Sequence, residues 1–299
     1  MTMRRTRATH PQSIVGRSSP VLHWVAVAAL TLAACDGGEP AAATTAGDTP
    51  AAAGAAKTTD AKPEAEAEAA PVLPEATEIL AKSIEAIGGQ TALDAIDSFY
   101  YEGKVELVGQ NISGDVKVWW KEGDFFTEQN MLGVGNVSAG KLGDEIWSSD
   151  PIAGLRKLEG QEAEQHMWAS SLQLAADWKR YFDEAKTVAE RTEDGAKVYD
   201  VELTAKTGGK VKMTFDAESG LQVGQTFDQV TPLGAMPITV KMEDYRDVEG
   251  VKIAFKQVTD AKIATATQVI TKIEINPEIS EARFQMPKSG ADTVKRPQP

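Results

Sequence analysis

The run Phe99-Tyr100-Tyr101-Glu102-Gly103-Lys104-Val105-Glu106-Leu107, with its sequel Ile112-Ser113-Gly114-Asp115-Val116-Lys117-Val118-Trp119-Trp120, decides the fold. In the first run Phe99, Tyr101, Gly103, Val105 and Leu107 alternate with Tyr100, Glu102, Lys104 and Glu106. In the second, Ile112, Gly114, Val116, Val118 and Trp120 alternate with Ser113, Asp115, Lys117 and Trp119. A period of two sends successive side chains to opposite faces of an extended chain. Both runs read as antiparallel strands with one dry face.

Similar runs recur to the C-terminal side. Ala196 to Thr204 alternates around Val198 and Leu203, Val211 to Phe215 sets Val211, Met213 and Phe215 on one side, and Thr239 to Tyr245 alternates less regularly around Val240, Met242 and Tyr245. Turn signals separate them: Glu193-Asp194-Gly195, Thr207-Gly208-Gly209, Glu218-Ser219-Gly220 and Val248-Glu249-Gly250. Many meandering strands make a large curved sheet or partial barrel.

Helices precede and interrupt this pattern. From Glu75 to Ile87 the apolar Ile79, Leu80, Ile84 and Ile87 recur at helical spacing, after Pro74 and before Gly88-Gly89, which suits helix termination. Thr91, with Asp94 three residues on, offers a cap for a short second helix through Ala92, Leu93 and Ile96. Gln161 to Phe182 reads as a helix with Trp168, Leu172, Ala175, Trp178 and Phe182 on one side. Placed between two halves of a sheet, it has the concave face on which to bury that side.

The N-terminal end carries an address. Residues 1–34 contain Arg4, Arg5, Arg7 and Arg17 and no acid, and Val21 to Leu30 is apolar apart from His23. This is the basic region and apolar core of an export signal, too short for a spanning helix, which needs about 20 apolar residues. Leu32-Ala33-Ala34-Cys35 resembles the bacterial lipobox, whose cysteine is diacylated and becomes the new N-terminus; ordinary secretion is the alternative. Two or more acyl chains anchor stably where one does not. Asp36 resembles the inner-membrane retention signal of enteric bacteria, and the choice between inner and outer membrane stays open.

Residues 37–72 are dominated by Ala, Thr, Gly, Pro and Glu, without an aromatic side chain. Such a segment cannot bury enough apolar surface to offset its ordering entropy and reads as a tether, with a helix over Ala61 to Ala70 as the local alternative. A flexible tether of about 36 residues reaches roughly 30 to 35 Å. The expected organisation is a signal peptide (1–34), a lipidated cysteine and tether (35–73), a β domain (74–290) and a tail (291–299). Loss of four arginines and no acid with the signal takes the formal charge from −13 to −17. So acidic a chain is a poor nucleic-acid ligand, and its expected partner is the membrane, through the lipid; oligomeric state is open.

Framework motifs add a resemblance. Ile84-Glu85-Ala86-Ile87-Gly88-Gly89 with Phe99-Tyr100-Tyr101-Glu102-Gly103, then Asp244 to Phe255, then Ile273-Glu274-Ile275-Asn276-Pro277 and Phe284-Gln285-Met286-Pro287 resemble the LolA/LolB-like group of periplasmic lipoprotein-sorting and related proteins. The resemblance implies an antiparallel half-barrel of about eleven strands, mainly β with α, its helices covering an apolar cavity that takes acyl chains in carrier members. It implies binding of a lipid or lipoprotein in the envelope rather than chemistry. A structural or regulatory envelope module and a carboxylate-dependent hydrolase are the alternatives.

The residue inventory agrees with a non-enzyme. His10 and His23 fall in the signal, leaving His166, and Cys35 is committed to acylation. No cysteine nucleophile, disulfide or histidine cluster for zinc remains, so neither metal nor cofactor is implied. His166 reads as a polar-face or boundary residue, and Gly133-Val134-Gly135 as a turn rather than a phosphate loop. Acid pairs such as Asp183-Glu184 and Glu243-Asp244 are unremarkable among 44 acidic residues.

Trp119, Trp120, Trp147, Trp168 and Trp178 fall in the β domain. Large rigid apolar surfaces with polar tips make either a core or a lipid cavity. Trp119 and Trp120 point oppositely along a regular strand, so one cavity takes only one of them. Trp120 shares a face with Val116 and Val118. The expected ligand site is therefore Val116, Val118 and Trp120 from the sheet with Trp168 and Leu172 from the covering helix.

Overall fold

The computed structural model describes residues 72–171, 174–231 and 234–288. Cys35 and the whole expected signal and tether up to residue 71, together with Leu172 and the expected tail, lie outside the described residues.

The chain enters through α1 (Ala76–Ala86) and α2 (Gly89–Asp94). The second helix starts two residues before Thr91, and no side chain caps it. Gly88 ends α1 at φ 130 and precedes α2 directly, so the break needs a glycine rather than a capping threonine. A Cβ at Gly88 would also sit 2.3 Å from the Gly250 carbonyl oxygen. Two of the framework motifs thus meet here, and the Lys252 amide donates to the Ile87 carbonyl at 2.9 Å.

Six strands follow as a meander: β1 (Ser98–Leu107), β2 (Ile112–Lys121), β3 (Asp124–Met131), β4 (Gly135–Leu142), β5 (Glu145–Asp150) and β6 (Gly154–Lys157). Then come α3 (Gly160–Ala169) and α4 (Leu174–Tyr181). Seven more strands complete the chain: β7 (Phe182–Glu193), β8 (Ala196–Ala205), β9 (Lys210–Asp216), β10 (Gln222–Thr231), β11 (Gly234–Val248), β12 (Val251–Asp260) and β13 (Thr265–Ile275). A 3-10 turn at Glu281–Arg283 follows. The irregular alternation near Tyr245 has its cause in Asp244, which adopts φ 57 inside β11.

All thirteen strands form one antiparallel sheet in the order β6-β5-β4-β3-β2-β1-β13-β12-β11-β10-β9-β8-β7. The short β6 and a hairpin pattern repeated without a break take the number above the expected eleven or so. Among the described residues the only neighbours not consecutive in sequence are β1 and β13, which join two wings at the centre. Asn276 secures that junction: its side-chain oxygen accepts from the Asp97 and Ser98 amides and its amide group donates to the Ala95 carbonyl.

The outermost strands, β6 and β7, are consecutive in sequence, so the chain between them must travel from one sheet edge to the other. That segment forms two helices rather than the single expected one, and Phe182 already belongs to a strand. α3 contacts both β5 and β10, eight positions apart in the sheet. Eight strand spacings span roughly 38 Å when flat, against about 15 Å for ten helical residues. The sheet must therefore curl around α3, making the helix-covered face concave.

Candidate functional site

α3 is strapped across the concavity at both ends. Arg156 on β6 donates through both terminal nitrogens to the Glu162 carboxylate, at 2.7 and 2.6 Å. At the other wing the Gln165 side chain donates to the Asp228 carbonyl at 2.6 Å and accepts from the Val230 amide at 2.8 Å. These β10 groups lie past Phe227, where the pairing with β9 stops, so a side-chain amide continues the ladder where a strand is lacking. Trp168 then packs edge-on against Phe227 at 5.2 Å.

Register identifies the side chains facing this strap. Val118, Thr127, Ala139, Ser148 and Arg156 are successive partners across β2 to β6, and Arg156 holds α3. Val118 and its face-mates Val116 and Trp120 are consequently on the concave side, where all three are buried. They belong to an apolar cluster with Phe99, Phe125 and Leu93 of α2. Trp168 is also buried, but in a second cluster, with Phe182, Met213, Val240 and Leu80 of α1. A third small cluster gathers Val105, Leu107, Met131 and Ala266. Among the described residues the expected site thus has Val116, Val118 and Trp120 together and Trp168 apart from them.

Polar groups stand between these clusters. Met242, Gln257, Gln268 and Val105 are partners across β11, β12, β13 and β1, and in the adjoining row Gln129 pairs with Val116. Gln129, Gln257 and Gln268 are all buried. Gln268 donates to the Tyr101 hydroxyl, whose ionisation burial pushes well above the ordinary tyrosine range. The side-chain oxygens of Gln129 and Gln257 have no hydrogen-bond partner among the described residues. A buried acceptor left so is costly, and a water molecule or a bound polar group that donates to it would relieve that cost. Sequence reading missed this belt because a lone glutamine in an alternating strand carries no mark of its facing.

His166 lies one turn beyond Glu162 on α3 and is half-buried. Burial draws its imidazole down to about 4, with Glu162 opposing and Arg156 reinforcing the shift. It makes no nucleophile–base pair: a boundary position is what the structure gives. Asp177 on α4 is raised to about 6, first by burial, with Arg180 opposing and Asp94 adding. Among the described residues no three His, Cys, Asp or Glu side chains are grouped to hold a metal ion. Of the acid pairs, Glu243 is bound to Lys256 and Asp244 to Arg246 at the surface.

The opposite face carries a different feature. Glu274, Tyr100, Trp119, Phe126, Gly140 and Trp147 are successive partners from β13 through β5. The strand is regular here, so Trp119 and Trp120 do face opposite ways. The rings follow one another at 5.0, 5.4 and 5.8 Å between centroids. The last step spans two strands because Gly140 lies under the Trp147 indole; a Cβ there would stand 2.6 Å from the ring. With the segment from Pro277 to Pro287, these rings border a groove of about 930 Å³.

Comparison with known proteins supports this architecture. No family model and no curated protein sequence matches the chain. Among solved structures it is similar to a DUF1329 family protein from Desulfovibrio piger, at 12% identity and a TM-score of 0.50, over 71% of this chain and 98% of that one. The chain shares the fold of that protein. A LolA superfamily protein from Nitrosomonas europaea matches at 14% identity and a TM-score of 0.49, over 71% and 98% of the two chains. An outer membrane lipoprotein-sorting protein domain from Vibrio parahaemolyticus matches at 11% identity and a TM-score of 0.47, over 70% and 95%.

Proposed function

We propose that this LolA-like chain is an envelope lipoprotein, anchored through Cys35, whose concave face binds an apolar ligand such as a lipid or a lipoprotein acyl chain. The observation that carries the reading is the divided interior. A domain of this size ordinarily has one contiguous core. Here the cluster containing Val116, Val118 and Trp120 and the cluster containing Trp168 are separate. Gln129 beside Val116 of the first and Gln257 beside Met242 of the second carry buried side-chain oxygens with no partner among the described residues. An alkyl chain laid along the concavity would join the clusters, and a polar portion with a hydroxyl or amide would supply the missing donors. Leu172, from the segment joining the two covering helices, is proposed as part of the same wall. Transfer between lipoproteins and membranes, as in sorting, is the finer form of this function.

Mass spectrometry of the gently purified full-length protein tests the ligand: a co-purifying amphiphile is expected, and its loss in folded Trp120→Ala and Trp168→Ala variants. Lipid-free protein that also fails to take up a fluorescent fatty acid would remove the reading. Cys35→Ala tests the anchor by fractionation, with release from the membrane fraction, or an unprocessed precursor, expected.

A further inference from the structure

The groove on the convex face is a second site, separated from the concave one by the thickness of the sheet. Its floor is the ladder of Tyr100, Trp119, Phe126 and Trp147. Aromatic rings on the outer face of a sheet usually serve to dock a covering segment, and the C-terminal segment does so in part. Ile279 and Phe284 are buried, and the Trp147 indole nitrogen donates to the Phe284 carbonyl at 3.2 Å. These contacts fix the backbone of the segment. They do not fill the groove, which keeps about 930 Å³.

What stands on the central rungs is a cation. The Arg283 guanidinium lies 4.6 Å from the Trp119 ring centre and 6.0 Å from that of Phe126. Its side chain belongs to an exposed residue, and besides the two rings it acts electrostatically on the neighbouring Tyr100. Lys272 stands likewise over Tyr100 at 5.6 Å. Planar cations over aromatic faces are held by the ring quadrupole. Carboxylates outnumber these cations: Glu102, Glu128, Glu274 and Glu278 border the groove with Lys272 and Arg283. The buried Ser138 also lines it, and its hydroxyl has no hydrogen-bond partner among the described residues.

We propose that this groove binds an arginine-bearing peptide segment of a partner protein, and that Arg283 is the chain's own stand-in for the incoming guanidinium. The ladder supplies flat faces for the guanidinium, the surplus carboxylates receive its N–H groups, and Ser138 is free to bond the peptide. The volume holds several residues, far more than the one side chain now on the rungs. Because the segment is fixed through Phe284 and Ile279, binding requires only that the Arg283 side chain swing away. No rearrangement of the sheet is involved, so occupancy of this face is independent of lipid on the other.

The test uses full-length protein, the acetylated and amidated peptide Gly-Arg-Gly, and the same peptide with citrulline, which keeps the shape and loses the charge. Calorimetry should show Arg283→Ala binding the arginine peptide about tenfold more tightly than the unaltered chain, with no binding of the citrulline peptide by either. Adding Trp119→Leu to Arg283→Ala should abolish the gain, and adding Trp119→Phe should keep most of it. Circular dichroism establishes that each variant is folded, and the yield of co-purifying lipid should not change. Equal affinity for the two peptides, no effect of Arg283→Ala, or full binding in the folded Trp119→Leu variant would each overturn the proposal. So would binding of soluble phosphocholine in place of the peptide, which would assign the rings to a lipid headgroup.

Discussion

The two faces of β1, β2 and β3 carry nearly the same aromatic row and use it in opposite ways. On the concave side Phe99 stacks on Trp120 at 5.7 Å, beside Phe125, and all three are buried under α2. On the convex side Tyr100, Trp119 and Phe126 are only partly buried, beneath a C-terminal segment that leaves a groove. One residue of register separates the rows. Aromatic content alone therefore does not distinguish a core from a binding surface; what covers the face does. A helix covers the inner row with apolar side chains, whereas the outer row meets Lys272, Arg283 and carboxylates.

The sharpest way to break this comparison is paired truncation. Trp120→Ala should cost about 3 to 5 kcal/mol in denaturant unfolding, from lost burial and the cavity left behind. Trp119→Ala should cost about 1 to 2 kcal/mol, since its ring is half-buried and its neighbours can close over it. Equal losses would mean that both rows are core. Gly140→Ala sharpens the picture on the convex side alone: forcing a Cβ against the Trp147 indole should cost about 1 to 3 kcal/mol and disturb the outer ladder, seen in near-ultraviolet circular dichroism.

A smaller effect is expected at the strap. Glu162→Gln weakens the bidentate link to Arg156, a partly exposed pair, so global stability should fall by only about 1 kcal/mol. The local consequence should be clearer, as faster amide exchange over residues 160–169 with the sheet unaffected. Unchanged exchange there would mean that Gln165 and Trp168 hold α3 unaided.

In the unaltered protein the least effect is in pH dependence, because two opposing shifts offset one another. His166 titrates near 4 when folded and near 6.5 when unfolded, so unfolding takes up a proton between these values and stability falls as pH drops through that range. Asp177, raised from 3.8 to about 6, works the other way: the folded chain keeps the proton, and stability falls as pH rises from 3.8 to 6. The two slopes oppose each other in the unaltered protein. His166→Gln should unmask the second, giving a fold that weakens from pH 4 to 6 in urea titrations; an unchanged profile would count against the burial of His166.

Much of the architecture was legible from local chemistry. Period-two alternation from Phe99 to Trp120, and glycine-bearing turns such as Val248-Glu249-Gly250, specify strands and hairpins because side-chain direction and φ are properties of a few consecutive residues. The opposition of Trp119 and Trp120 follows from the same parity. The single helix expected from Gln161 to Phe182 is two helices with Phe182 in a strand, since periodicity does not mark where the chain reaches the far edge of a sheet. Strand parity and helical spacing place Trp120 on the sheet and Trp168 on a covering helix; that the two lie in different apolar clusters depends on how the sheet curls and on where α3 crosses it.

The sequence by itself determined an antiparallel β-rich domain, its leading helices, the facing of each strand residue and the acidic character of the chain, all governed by neighbours along the backbone. Tertiary structure alone decided that β1 pairs with β13, that α3 bridges β5 and β10, that the Gln129 and Gln257 oxygens meet no partner among the described residues, and that Arg283 lands on Trp119. Those outcomes depend on contacts between residues up to 181 positions apart, as in the bond from Asn276 to Ala95, and on the curvature that brings them together. No short-range pattern encodes such a distance, because many sequences with the same alternation close into sheets of different order and curl.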